Sequence, residues 1–207
     1  ILEAQQLGTD FMEIRFDFVM PSELEPAVAA AEAFKEKCVF TVRSKNQGGK
    51  FQGPETERVA LIERLTKMQP MFMDIELDTI KENDHLADLM ENSKTKMIVS
   101  WHDFEHTPAS EDLSKRLTEM RIYSNYLKIV TMAKIVDDSL RLLDLYEVTA
   151  GLNPIIFGMG EAGVLSRVLC TVVGNAPFAY ASLGAPVAPG QLSLVQMRRL
   201  YERLKIR

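Results

Sequence analysis

Short apolar, β-rich runs alternate with helix-like segments from one end of the chain to the other. This alternation limits the fold more than any single residue does. The runs are FMEIRFDFV (11–19), CVFTVRS (38–44), MFMDIELD (71–78), KMIVSWHDF (96–104), YLKIVTMAK (126–134), PIIFGMG (154–160) and PFAYASLG (177–184), and their centres lie 24 to 34 residues apart. Between them apolar residues recur at helical spacing: Leu24, Val28, Ala31 and Phe34; Leu61, Leu65 and Met68; and, less cleanly, Leu140, Leu143 and Leu145. Ser22 and Glu25 read as a capping box with Pro26 in the first turn, and Pro54, after Gly53, marks another helix start. A strand–helix unit of this length implies parallel strands joined by right-handed crossovers. Seven such strands suit an open doubly wound sheet or most of an eight-stranded barrel. Polar residues at many strand ends favour the barrel, whose site is assembled from the C-terminal ends of several strands.

Composition narrows the partners. The chain has 207 residues with no low-complexity segment or linker, so it reads as one domain. Lys and Arg number 24 against 29 Asp and Glu, for a net charge of −5. That excludes a general nucleic-acid binder, which needs a basic face, but not a small anionic substrate held by a few buried arginines. Disorder is excluded at 46% hydrophobic residues. No apolar run approaches the ~18 residues of a membrane span, and ILEAQQLGTD at the start is no signal peptide. Cys38 and Cys170 lie in apolar surroundings without a neighbouring Cys/His pair, so they are expected as free core thiols, not zinc ligands, in a reducing cytoplasm.

Several polar residues stand where chemistry could use them. Glu13, Arg15 and Asp17 alternate, so within a strand they share a face; they form either a solvated edge, an internal ion-pair network or part of a site. Arg43 ends the second run and leads into Ser44-Lys45-Asn46-Gln47-Gly48-Gly49, and Asp74 and Glu76 alternate in the third. His102 and Asp103 close an apolar strand, where a histidine either carries protons or decorates a turn; His85 and His106 look incidental. Lys128 lies inside the fifth run, and Lys134 shares its parity nearer the tip. A buried amine is favoured in its neutral, nucleophilic form, the form that makes a Schiff base, but position does not choose between the two lysines. GMGEAG (158–163) matches a dinucleotide fingerprint letter for letter, yet it comes too late in the chain for one. Arg167 falls in the first turns of the following helix, either as a carboxylate fork or as a surface arginine. Gln191 follows the tight APG turn (188–190) with both a donor and an acceptor.

Taken together these segments resemble the type I 3-dehydroquinate dehydratase family, a shikimate-pathway lyase of aromatic amino-acid biosynthesis with a (β/α)8 barrel. EIRFD, TVRSKNQGG, MDIEL, Ser100 to Pro108 (SWHDFEHTP), LKIVTM, Met159 to Arg167 and APGQ follow in the family's order from about residue 8 to the end. The resemblance implies that Lys128 is the Schiff-base lysine and His102 the general acid and base, with Gln47 beside the histidine. Arg167 and Gln191 would hold the substrate carboxylate, Glu13 and Arg43 the ring hydroxyls with Arg15 in support, and Met159 would line the pocket. The substrate is then 3-dehydroquinate, with no metal or cofactor required and a homodimer as the assembly.

Three departures from the family pattern bear on this. Many members carry Glu where Gln47 stands, the polar residue often found before APGQ is Val187 here, and the first strand is missing, with Ile1 falling in the first helix. Residues 1–207 are thus expected to form a single catalytic barrel domain shortened at its N-terminus. A class I aldolase-like barrel is the competing enzyme reading, although it should lack the HDF and APGQ pair. A barrel kept for binding or assembly is the non-enzymatic one.

Overall fold

Strand formation follows the sequence runs, and the helices between them take the crossovers. The computed structural model describes residues 1–205, which divide into two compact units, residues 1–100 and residues 101 onward.

In the first unit α1 (Leu2–Gln6) precedes β1 (Met12–Arg15), α2 (Leu24–Glu32), β2 (Cys38–Thr41), α3 (Glu55–Lys67), β3 (Phe72–Glu76), α4 (Leu77–Glu82), α5 (Asp84–Glu91) and the start of β4 (Lys96–Asp103). The strands pair in parallel in chain order, with Glu13 opposite Val39, Thr41 opposite Asp74, and Glu76 opposite Ser100. β2 and β3 are buried at every residue, as expected of parallel strands covered on both faces. Pro54 caps α3, with Glu55 and Glu57 in its positive first turn.

Two local expectations change. Asp17 is not on β1: Phe16–Phe18 turns into a 3₁₀ helix, which buries the Asp17 carboxylate where it accepts both Nε and Nη2 of Arg15 at 2.8 Å. Local pairing outweighs continuation of the strand there. Ser22 caps nothing, because Pro21–Glu23 forms its own 3₁₀ turn and α2 starts after Glu23. Pro21 fixes its φ, so helical geometry begins upstream of the serine, while Pro26 does lie in the first turn.

The second unit holds the end of β4, then α6 (Ser110–Met120), β5 (Tyr126–Met132), α7 (Val136–Asp144), β6 (Asn153–Met159), α8 (Val164–Leu169) and α9 (Leu194–Leu204). β5 and β6 pair in parallel over seven residues, with Lys128 opposite Ile155. The Met159 carbonyl accepts from Ala133 N–H, so the odd-numbered residues of β6 bond toward β5 and the even-numbered ones face away. Pro154, with no N–H to offer, lies on the outward set.

The seventh expected strand, 177–184, does not form; Ser182 makes one isolated bridge to Ser193. The outward backbone groups of β6 find hydroxyls instead. Tyr146 Oη donates to the Ile156 carbonyl (3.0 Å) and accepts from its N–H (2.7 Å), and Ser166 Oγ accepts from Gly158 N–H (2.9 Å). With those groups satisfied, a further ladder there has no backbone partner at Ile156 or Gly158.

Ser166 also fastens α8. Its hydroxyl donates to the Gly163 carbonyl and lies 2.9 Å from Ser139 Oγ, which donates to the Ala162 carbonyl. Gly163 approaches β6 so closely that a Cβ there would lie 2.4 Å from the Gly158 carbonyl carbon and the Met159 oxygen. Gly163→Ala must therefore push α8 off the strand. The expected cost is about 1–3 kcal/mol, read as a melting temperature lower by several degrees; an unchanged melt would show that the loop adjusts freely. Among the described residues no helix is long and apolar enough to cross a membrane.

Candidate active site

In the first unit the strand ends carry several ion pairs and charged hydrogen bonds. Arg43, two residues past β2, is 3% exposed. Its Nη2 lies 2.8 Å from Asp74 Oδ1, and its Nη1 donates to Ser100 Oγ at 2.6 Å. Ser100 Oγ in turn donates to Asp74 Oδ1 (2.6 Å). Burial works against the charge on Arg43, but Asp74, Glu76 and Glu13 outweigh it and raise its pKa. Glu13 accepts from Thr41 Oγ1 at 2.8 Å. Arg15 gives its fork to Asp17 and stacks over Phe18. Asp17 also accepts from Lys50 N–H, so this pair ties β1 to the loop that contains Gln47.

That loop is shaped by its glycines. Lys45–Gln47 forms a 3₁₀ turn ended by Gly48 at φ +78°. At Gly49 a Cβ would sit 2.0 Å from the Arg43 carbonyl oxygen. Gln47 is half-buried at the end of this turn. Glu76 steadies the loop from below, accepting from Ser44 N–H at 2.8 Å. Glu76 is in turn held by Arg58 Nη1 at 2.8 Å, and the same nitrogen donates to the Val42 carbonyl. Arg58 was not among the expected residues. The signal lies in its spacing: position 58 shares a helical stripe with Leu61, Ile62 and Leu65, where an arginine is buried only with partners.

In the second unit β5 carries Lys128, 5% exposed and the only buried lysine among the described residues. Its Nζ sits 4.2 Å from the centroid of the Tyr180 ring. Lys134 is different: it is exposed beyond the strand, and its backbone N–H donates to Asp138 at the start of α7. Depth, which parity does not report, separates the two lysines. His102 is half-buried near the end of β4, its ring stacked with Phe104 at 6.3 Å. The loop beyond is pinned to β5 by Thr107, whose hydroxyl pairs with Thr131 Oγ1 and donates to the Met132 carbonyl. His106 is exposed beside Asp103, and His85 pairs with Glu63 at the surface of the first unit.

Met159, 1% exposed, ends β6. Arg167, 2% exposed, sits on α8 with its guanidinium 4.3 Å over the Phe157 ring. Its Nε and Nη2 are buried with no hydrogen-bond partner among the described residues. Burial pushes its pKa down to about 10, so it remains charged at neutral pH. This Nε–Nη2 edge is the one that matches a carboxylate at two points. The APG turn is tied to the loop before α8: Gly160 N–H donates to the Pro189 carbonyl at 3.0 Å, and a Cβ on Gly190 (φ +69°) would meet the Gly160 oxygen at 2.2 Å. Gln191 Oε1 accepts from Val187 N–H at 2.8 Å. This fixes the orientation of the amide and leaves its NH₂ as the group to offer a ligand. Val187 thus serves through its backbone, its side chain being exposed.

Cys38 and Cys170 are free and buried, and burial pushes their thiols up to about 11 and about 12. No group of three or more His, Cys, Asp or Glu among the described residues could hold a metal ion.

The sequence matches the family model of type I 3-dehydroquinase across residues 1–207. The chain belongs to the type I 3-dehydroquinase family. A 3-dehydroquinate dehydratase of Dehalococcoides mccartyi (strain 195) is 34% identical over 199 residues, covering 94% of this chain and 86% of that one. The crystal structure of 3-dehydroquinate dehydratase from Geobacillus kaustophilus HTA426 has a TM-score of 0.88 at 25% identity, covering 98% of this chain and 83% of that one. The structure from Aquifex aeolicus VF5 has a TM-score of 0.82 at 28% identity, covering 100% and 93%. The fold class is therefore the α/β barrel of the type I 3-dehydroquinases, and the GMGEAG run serves that fold as a helix-seating loop, its glycines accounted for by packing.

Proposed function

We propose that this member of the family dehydrates 3-dehydroquinate through an imine formed on Lys128, with His102 carrying the proton, in one catalytic domain. The observation that carries the reading is the charged, buried Nε–Nη2 edge of Arg167, which has no hydrogen-bond partner among the described residues, in the same unit as the only buried lysine among them. A guanidinium left unsatisfied in a folded protein is costly, and a carboxylate ligand is the group that best satisfies it.

The chemistry follows from the residues. The amine of Lys128 adds to the C3 ketone, and the ketone oxygen leaves as water, taking one proton from the nitrogen and one from His102, which is left as the base. Nitrogen then keeps one proton and a positive charge, and serves as an electron sink. His102 takes the proton from C2, and the electrons of that bond neutralise the imine as an enamine. The enamine expels the C1 hydroxyl, which His102 protonates so that it departs as water. Water adds to the remaining imine and releases 3-dehydroshikimate and the free lysine.

Arg167 and the Gln191 amide orient the substrate carboxylate, and Met159 lines the pocket. Glu13 and Arg43 take the ring hydroxyls, the family roles of the motifs they occupy, with Arg15 in support. Gln47 stands where many family members carry glutamate; an amide can hydrogen-bond as a carboxylate does but brings no charge. A reducing compartment such as the cytoplasm suits the two free thiols. The direct test is incubation with 3-dehydroquinate while following the conjugated enone by absorbance. Growth of the enone band is expected; a flat trace from folded protein at substrate saturation would point to the non-catalytic barrel instead.

A further inference from the structure

The geometry points to the ring of Tyr180 as the group that holds the reacting nitrogen of Lys128 and stabilises it when it becomes cationic, an inference that rests on Lys128 as the imine-forming residue. Lys128 Nζ lies over the ring face, 4.2 Å from its centroid. The ring is itself held by two others. It meets Phe178 edge-on at 5.6 Å and 71°, and Phe157 at 6.3 Å and 51°. Phe157 in turn carries the Arg167 guanidinium at 4.3 Å. The amine that attacks the ketone and the arginine that takes the carboxylate therefore each rest on an aromatic face, and those two rings touch. Although 177–184 is not a strand, Tyr180 is anchored close by: Ser182 N–H donates to the Leu192 carbonyl, and Leu194 N–H donates to the Ser182 carbonyl.

An aromatic face is negative and attracts a cation, with no comparable pull on a neutral nitrogen. The nitrogen changes charge repeatedly in this reaction. The carbinolamine is neutral; it loses its hydroxyl as water, and the imine left behind is cationic. Loss of the C2 proton gives the neutral enamine, and expulsion of the C1 hydroxyl restores the cationic imine. A ring fixed 4.2 Å away thus lowers both cationic imines relative to the neutral species between them. Its largest effect is expected on imine formation. By bracing Phe157, the same ring also fixes the spacing between Lys128 and Arg167, and so the placement of C3 once the carboxylate is bound.

The test uses the full chain with Tyr180 replaced by Phe, by phenylalanines with one, two or three ring fluorines, and by Leu. Each is mixed with 3-dehydroquinate and quenched with borohydride at successive times, and the adduct on the Lys128 peptide is quantified by mass. Tyr180→Phe should stay within about twofold of the parent, since the face is kept. The fluorinated rings are nearly isosteric, so packing is preserved while the face loses negative charge. Imine formation should fall stepwise with fluorine count, to about tenfold at three fluorines, with KM moving much less. Tyr180→Leu should fall at least as far; if it melts at a lower temperature, the fluorinated series alone decides. Fluorinated rings indistinguishable from Phe would overturn the role of Tyr180 while leaving the imine intact. Absence of any Lys128 adduct in the parent would overturn the imine reading itself and this inference with it.

Discussion

Replacing Lys128 with methionine is expected to lower turnover of 3-dehydroquinate by about 10⁴-fold or more while leaving the protein folded. The nitrogen is the only electron sink in the proposed sequence. Without it, removal of the C2 proton must leave its charge on a ketone oxygen. Methionine is the informative replacement because it keeps most of the length of the lysine stem and leaves no large cavity in β5. A buried polar group is removed at the same time, so the melting temperature should not fall by more than a few degrees. Borohydride in the presence of substrate should fix an adduct on the parent and none on the variant. Lys134→Ala supplies the contrast. Lys134 is exposed and engages α7 through its backbone N–H, which alanine retains, so turnover should stay within about twofold. Substantial turnover by the Lys128 variant, or an adduct on the Lys134 peptide, would reverse the assignment.

The contrast between these lysines shows how far sequence carries. The six strands that form were legible because each is a β-rich run bounded by turn signals, and the site motifs because they sit at the ends of those runs. Which lysine is buried was not legible, since residues six apart on a strand share a face and differ only in depth. The run 177–184 has the same apolar, aromatic character as the true strands. Its failure to pair depends on the hydroxyls of Tyr146 and Ser166 at the outer edge of β6, and no local pattern announces them. Asp17 alternates correctly with Glu13 and Arg15, yet the Arg15 fork folds it out of the strand. The aromatic character of 177–184 that misled the strand assignment is also what places Tyr180 over Lys128: the residues were conspicuous, and their partner was a tertiary fact.

Arg167→Met is expected to raise the melting temperature and lower kcat/KM together. In the unliganded protein the Arg167 guanidinium is charged and buried, and its Nε and Nη2 lack partners among the described residues. Burial penalises the charged form and pushes its pKa down from the ordinary guanidinium range to about 10. At 1.36 kcal/mol per unit that is a cost on the order of 3 kcal/mol. The sign follows from which state holds the proton more weakly. The folded state does, so the penalty is fully present below about pH 10 and is relieved only as pH rises above that. At neutral pH methionine removes all of it, occupies similar volume and keeps a favourable sulfur contact with Phe157. A gain of several degrees should result. The cost appears on the substrate side. Losing a two-point, charge-assisted contact to a carboxylate is worth about 2–5 kcal/mol, so kcat/KM should fall about 10²- to 10³-fold, mostly through KM. Dehydroquinate or dehydroshikimate at high concentration should raise the melting temperature of the parent and scarcely move that of the variant. Kinetic titrations and thermal melts with and without ligand test both halves on the same two proteins. A variant that melts lower than the parent and binds substrate equally well would mean that Arg167 already has its partner inside the fold, and the carboxylate would have to be held elsewhere.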